Sequence, residues 1–558
     1  MRKISIAMAA AFFAATSIFA IGVDEDEIRS VNQTIVFENY TGPHATVDTL
    51  DQIKQIGRGL GNAIASDLDS QRTTGNTAKY YVIHAIDSSV AEKLDADILV
   101  LGANASVDHI RNLRHIIAGY LSAAYNYSES DAQTIATFVT VYNAVYRQNM
   151  EAFRSKYKDI VTSNLTASRA GLSTRYSEWP GNSQIVIPIS DISGGLSTVD
   201  TSVISDREVI NSMQEDDDKN IDARKDMVDI KEREAENANE KAQESQKAAT
   251  EEQRKANEAQ KQADQAQKQA DQKKEDAQKA QQKADEAQKK ADENPDDKQA
   301  QKEAQQAQKE ADQAKKAEDD AQKKADDAQQ KADEAQKKAD DAKQTASEQQ
   351  AVADKKQSEA QEERRSIAQD QETVEKAEQA ATNAPSVYGL SLASASSMDS
   401  AIVKVNTKDG TILQRSEVDV IKNRTMFPVG GGFLAVAGAN SGNGAVKLVF
   451  IDEKSLEITK ESEETLSDNS VLVQDGSNYL VIVKERIACF AAKYDSDLKL
   501  LKKSPVPVSP NSPIVKTSAG YMVTDVAGQP LVLDTAELKI TTKQAVEAVA
   551  GTVKNLTK

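Results

Sequence analysis

One stretch constrains this chain more than any other: residues 207–384 hold no aromatic side chain and no glycine, and their single proline is Pro295. Ala, Gln, Lys, Glu and Asp dominate it, and most of these are good helix formers. Alanine recurs at Ala256, Ala259, Ala263, Ala266 and Ala270, and again at Ala304, Ala307, Ala311 and Ala314. Steps of three and four make a heptad repeat with alanine on the seam. Such a segment cannot build a globular core, because alanine removes little apolar area from water at about 25 cal/mol per Å². It reads as a long, charged coiled-coil helix. Ala291 and Ala304 are one position short of two heptads apart, so the register breaks at Asn294, Pro295, Asp296 and Asp297. A kinked rod and an antiparallel hairpin with Pro295 at its tip both satisfy that break. The larger apolar residues select the hairpin. They gather at the outer ends, with Ile221, Met227, Val228 and Ile230 on one side and Val352, Ile367 and Val374 on the other. Reversal at Pro295 sets Ile221 beside Ile367. Interleaved Asp, Glu and Lys predict ion pairs along each arm.

Composition changes at both ends of this stretch, so the chain is multidomain. Residues 23–205 carry all four histidines, the only tryptophan and most of the tyrosines. Short β-like runs at 33–37, 80–85, 98–101 and 184–189 alternate with helical patterns at 47–68, 107–125 and 131–161. Leu50, Ile53, Ile56, Leu60 and Ile64 share one face of the first helix, and Ser106 and Ser130 are the expected N-caps of the other two. This predicts an α/β domain with a small open sheet. Residues 386–545 are β-like. Gly431, Gly476 and Gly520 each open a similar apolar run, and each run is followed by an Asp and a Leu: Asp452 and Leu456, Asp495 and Leu498, Asp534 and Leu538. A stretch from Lys404 to Leu413 looks like the same element. A blade-like period predicts three to four antiparallel meanders, as a small propeller or a β-sandwich. Residues 546–558 form a helix-like tail. Because the helical stretch offers no large apolar surface, the two flanking domains are expected to fold without it.

Met1, Arg2 and Lys3 precede an uncharged apolar run, with small residues offering cleavage after Ala20 or Gly22. Residues 1–22 therefore read as a secretory signal peptide, with an uncleaved anchor as the alternative. The expected address is the periplasm or cell envelope, with surface exposure open. The lone Cys489 cannot make a disulfide framework and is expected to be buried and inert. A net charge of -19 argues against nucleic acid as a partner. No later segment is apolar enough for a transmembrane span.

Catalytic patterns are absent: there is no HExxH, CxxC or Walker motif. His44, His84, His109 and His115 lack metal-ligand spacing and are read as structural. Gly57, Gly59 and Gly61 fall within a helical pattern, where close helix packing explains them better than phosphate binding. Asp87 and Ser89 follow one β-like run, and Asp191 and Ser193 follow another. Oxygens at a strand's end can hold a divalent cation. The second pair resembles part of the D-x-S-x-S signature of von Willebrand A-type domains, but Gly195 replaces its last serine. Turn or cap roles suit all four better. No catalytic residue and no cofactor is assigned.

Three strings in the first domain carry a resemblance: Phe37-Glu38-Asn39-Tyr40, the run from Ala96 to Asn104, and the run from Gly171 to Gly181. With the order of leader, head, charged helix and β-rich tail, they resemble the spirochaetal 83/100 kDa antigen family known from Borrelia and Treponema. That resemblance implies an exported, envelope-associated, immunogenic protein and supplies no catalytic residues. The resulting expectation is a non-enzymatic protein in which a helical spacer links two binding domains that meet a protein or envelope partner. A surface adhesin acting through the β-rich domain, and an enzyme seated in the α/β domain, are the alternatives.

Overall fold

The computed structural model describes residues 35–90, 92–190 and 198–541. The leader, Asp191, Ser193 and the 546–558 tail lie outside the described residues.

The head has a four-stranded sheet, β1 (Arg72–Asn76), β2 (Tyr80–Ala85), β3 (Asp95–Leu101) and β4 (Ser183–Ile189), paired in that order and antiparallel throughout. The edge strand β1 is polar and half exposed, which hid it from a search for apolar runs. The expected strand at 33–37 is not formed over its described residues; only an isolated bridge from Glu38 to Arg175 occurs nearby. Helix α1 (Leu50–Ala65) starts at a capping box in which Thr49 and Gln52 satisfy each other's backbone N–H. Helix α2 (Ile110–Tyr125) is capped by His109 rather than Ser106. The expected helix at 131–161 is broken into α3 (Glu129–Val145), α4 (Met150–Lys156) and α5 (Asp159–Thr162). Ser128, not Ser130, caps α3. Left-handed Gln148 and the cap at Asn149 end one helix and begin the next. Asn143, fully buried on α3, accepts the Val186 N–H at 2.7 Å and donates to its carbonyl at 2.8 Å. An otherwise open edge of β4 is thereby satisfied.

Three glycines let α1 lie directly on α2. A Cβ on Gly57 would stand 1.8 Å from the Ile116 carbonyl oxygen, and one on Gly119 would stand 2.4 Å from that of Lys54. Gly61 makes the same approach, where a Cβ would stand 2.5 Å from the Tyr120 carbonyl oxygen, whereas Gly59 between Gly57 and Gly61 faces open space. Gly57 and Gly61 are the packing glycines expected from the sequence; Gly59 takes no part in the contact.

The hairpin is formed. Helices α8 (Ile221–Glu293) and α9 (Lys298–Asn383), preceded by the short α6 (Thr201–Ile204) and α7 (Arg207–Gln214), pack along their length and reverse at Pro295. Asp297 caps α9 by accepting from Gln299 and Ala300. One alanine per heptad is buried: Ala242, Ala249, Ala256, Ala263 and Ala270 in α8, facing Ala325, Ala332, Ala339 and Ala346 in α9. At the base, Ile221 packs on Val228, Ala360 and Ile367. Along the arms, glutamine amides bonding to acids one turn later are the recurrent link, as in Gln260–Asp264, Gln281–Asp285 and Gln329–Asp333. The expected lysine pairs are fewer, as at Lys315 with Glu318. Gln-to-Asp hydrogen bonds at this spacing are among the side-chain pairs that stabilise a helix.

The head's core does not stop at residue 205. Val209 and Met213 of α7, and Met227 and Ile230 of α8, belong to the same buried cluster as Tyr120, Phe138 and Trp179.

The tail contains three antiparallel sheets. The first has β5 (Ser386–Leu392), β6 (Ser400–Asn406), β7 (Ile412–Arg415), β8 (Ile421–Val429), β9 (Gly432–Gly438), β10 (Val446–Asp452) and β11 (Ile458–Glu461). The second has β12 (Val473–Asp475), β13 (Asn478–Glu485), β14 (Ala488–Tyr494) and β15 (Leu500–Lys503). The third has β16 (Val515–Thr517), β17 (Gly520–Thr524) and β18 (Pro530–Leu533). The sheets stack face to face in chain order, one core lying between the first and second and another between the second and third. The propeller reading is corrected: among the described residues the sheets form an open row and no closed ring. The repeat itself is real. Leu456, Leu498 and Leu538 all adopt left-handed backbone and are buried. The preceding Asp452, Asp495 and Asp534 each cap the same turn by accepting backbone N–H groups with their carboxylates. Those bonds offset a backbone conformation that leucine otherwise avoids.

Candidate interaction site at the head–tail junction

Because the arm doubles back, head and tail meet at its base. The segment before α1 makes the join. Ala45 N–H donates to the Asn443 carbonyl at 2.7 Å, Ala445 N–H donates to that of Pro43 at 2.9 Å, and His44 bridges Gly444 in antiparallel fashion. Asn443 exchanges two more bonds with Thr46, at 2.8 and 2.7 Å. The Tyr40 hydroxyl donates to the Pro43 carbonyl and accepts from Ala439 N–H. Close approach requires Gly444, where a Cβ would stand 2.8 Å from that hydroxyl. Asn39, the neighbour of Tyr40, fastens the segment to the head by accepting from Ile110 N–H at 2.7 Å.

Beside this join lies a cleft of about 480 Å³, lined from the head by Tyr40, His44, His109, Arg111 and His115, and from the tail by Glu417, Glu457 and Glu461. Arg111 crosses it to Glu457 at 3.2 Å and Glu417 at 3.8 Å. One of the three histidines is shifted toward holding its proton and two away from it. A hydrogen bond to Asp108 at 3.0 Å, together with that carboxylate's charge, outweighs burial and raises the affinity of His44 for its proton. Burial and the neighbouring Arg111 push His109 down to about 4. Burial and the charge of Lys54 also lower His115. His109 is neutral near pH 7, as its cap requires: its Nδ1 accepts the Arg111 N–H. The cleft thus combines one fixed cation, several carboxylates and a tyrosine across a two-domain seam. Among the described residues, no group of three or more His, Cys, Asp or Glu side chains is arranged to hold a metal ion.

The fourth histidine sits in the head's core. Fully buried His84 gives Nδ1 to Asp97 at 2.5 Å and Nε2 to the Leu68 carbonyl at 3.1 Å. Tyr120 and Tyr125 both donate to the other oxygen of Asp97 at 2.5 Å. Burial drives the imidazole toward neutrality, but the bond and charge of Asp97 with the Leu68 carbonyl together hold its proton affinity above the ordinary value. With both nitrogens and both carboxylate oxygens occupied, this is a closed structural cluster.

Asp87 and Ser89 lie in the turn after β2. Asp87 accepts from Ser89 N–H at 2.9 Å and from its hydroxyl at 2.6 Å, and those bonds lower the proton affinity of the carboxylate. Nearby, Lys158 bridges the Asp87 carbonyl and the Asp95 carboxylate, each at 2.7 Å. Asp95 pairs with Ile189 across β3 and β4, so the strand ends leading to Asp87 and toward Asp191 share one end of the sheet. Cys489 is buried and free. The junction residues Arg111, Asn443 and Glu457 had no signal in the sequence, since contacts between parts this far apart leave no local period. Tyr40 was visible only as part of a shared string.

Comparison with curated proteins gives no match. The family model described as Borrelia P83/100 protein matches residues 25–514, which span the head, the arm and most of the tail, and the chain therefore belongs to that family.

Proposed function

We propose that this is an exported, envelope-associated, non-enzymatic interaction protein, organised as a leader (1–22), a head (23–205), a helical arm (207–384), a β-repeat tail (386–545) and a terminal segment (546–558). The helical stretch separates two binding domains along the chain while holding them side by side in space, and its arm reaches a partner in the envelope. The observation that carries this reading is the docking of head on tail at the base of α8 and α9. From that base each arm extends on the order of 110–130 Å at 1.5 Å per residue. The head's most buried ionisable groups support a non-catalytic role, because His84 and Asp97 are consumed by bonds to one another and to the fold. No helix among the described residues is long and apolar enough to cross a membrane. Asp87, Ser89, Asp191 and Ser193 are proposed as turn residues rather than cation ligands; an unchanged melting temperature on adding calcium or magnesium is the expected result.

Cell fractionation joined to cross-linking tests the role. The expected result is an envelope fraction in which the full chain cross-links to a defined component, with digestion by added protease only after lysis. Digestion of the tail on intact cells would transfer support to the adhesin reading.

A further inference from the structure

In the tail the first sheet buries one face under the second and the second buries one under the third; among the described residues no further sheet covers the third. Leu434 of the first sheet is fully buried beneath the second, and Leu480 of the second beneath the third. Strand pairing makes these positions equivalent: Leu434 lies between Phe427 and Phe450, and Leu480 lies between Val473 and Lys493. In the third sheet the same place is taken by Met522, between Val515 and Val532. Here the apolar row is open, with Met522 39% and Val515 44% exposed.

The path of the chain says what comes next. Ser462, Ser504 and Thr541 each leave their sheet by donating a backbone N–H to it, to the carbonyls of Leu448, Ala491 and Val532. Four residues after the first two, Leu466 and Val508 are fully buried where the chain passes to the following sheet, bridging Val483 and Asp525. Thr541 makes the same exit from the third sheet, and residues 542–558 follow it. That segment carries Val546, Val549, Val553 and Leu556 in steps of three and four, the spacing of one helical face.

We propose that the outer face of the third sheet, centred on Met522, Val515 and Val532, is the docking surface for residues 542–558 of the same chain. The segment covers the place that a fourth sheet would occupy, as polar-faced caps cover the apolar faces of other repeat arrays. A bare apolar sheet face would instead recruit a second molecule.

Methionine oxidation by dilute peroxide tests this in the full chain, with Met398, 72% exposed, as the internal reference. Met522 is expected to oxidise several-fold more slowly than Met398, at a rate independent of protein concentration. Truncation after Thr541 should remove that protection, and so should the full-length double variant Val549→Asp, Val553→Asp, which carries the test if the truncated chain fails to fold. Two results would overturn the proposal: a Met522 rate unchanged in the double variant, or protection that grows with protein concentration and so comes from a second copy.

Discussion

In the head, Trp179, Tyr120, Tyr125, Tyr142 and Phe138 are buried in one irregular cluster; along most of the arm, the buried residues are alanines seven apart. Every buried contact in the head is distinct, so its packing admits one arrangement. The alanine seam repeats itself, so sliding one helix past the other by a heptad would restore much the same contacts. Register must come from elsewhere: the short turn between Glu293 and Lys298 sets it at the tip, and the base fixes it at the other end. Arg224, fully buried, donates to Glu363 at 2.6 Å, Asp370 at 2.7 Å, Ser366 at 3.0 Å and the Lys219 carbonyl at 3.2 Å. Lys356 meets Glu234 at 2.7 Å and Lys231 meets Glu359 at 3.1 Å. Buried charges of this kind add little net stability but penalise misalignment heavily. The head is held by volume and the base of the arm is aligned by charge.

The largest expected effect tests where one kind of packing gives way to the other. A head fragment ending at residue 205 lacks Val209, Met213, Met227 and Ile230, and truncating a single buried Leu, Ile or Met costs about 2–5 kcal/mol. It should lose cooperative unfolding that a fragment ending at residue 235 retains; equal denaturant midpoints would place the arm's base outside the head's core.

Next in size, Asp97→Ala leaves His84 and two tyrosine hydroxyls buried without their acceptor, at a cost of about 3–5 kcal/mol. Urea unfolding of the full chain, followed by Trp179 fluorescence, should show the loss in the head transition alone.

Ile367→Ala removes the one large side chain that α9 contributes to the basal cluster, and should cost about 2–4 kcal/mol of arm stability. Helical circular dichroism should melt earlier while the Trp179 transition holds. A shift of both would mean that arm and head unfold as one unit.

A pH dependence sharpens the contrast within the head. Folding raises the proton affinity of His84, so its contribution is complete below the unfolded value of about 6.5 and is lost as pH rises through the higher folded value. The stability difference between the parent protein and His84→Gln should therefore shrink as pH rises through that window. A difference constant from pH 5 to 9 would show that His84 does not change its charge state there.

The smallest effect belongs to the seam. Ala270→Gly should cost about 1 kcal/mol, the helix-propensity difference, and leave head and tail transitions unchanged.

Most of this architecture was legible because it is periodic. The heptads located the arm, the thirteen-residue step located the turn, and Ile221 and Ile367 located its base. In the tail, Asp452, Asp495 and Asp534 marked a turn whose geometry proved to be shared. What escaped was non-periodic or non-local. The polar strand Arg72–Asn76 is defined by its neighbour Tyr80–Ala85 rather than by its own pattern. The breaks at Gln148 and Asn149 rest on single backbone conformations. His44, His109 and His115 were judged by sequence spacing, yet they meet at a cleft because α2 and the segment before α1 are brought against the tail.

Because the seam is uniform and the turn and the base hold the register, the arm's reach is uncoupled from the rest of the fold. Adding one heptad to α8 and a matching one to α9 near Pro295 would move the tip outward by about 10.5 Å without altering any residue that touches the head or the tail. Unequal changes would strand one alanine row against charged side chains. Such an arm behaves as a graduated ruler, whose base-to-tip distance can change by gain or loss of paired repeats while the domains at its foot stay the same.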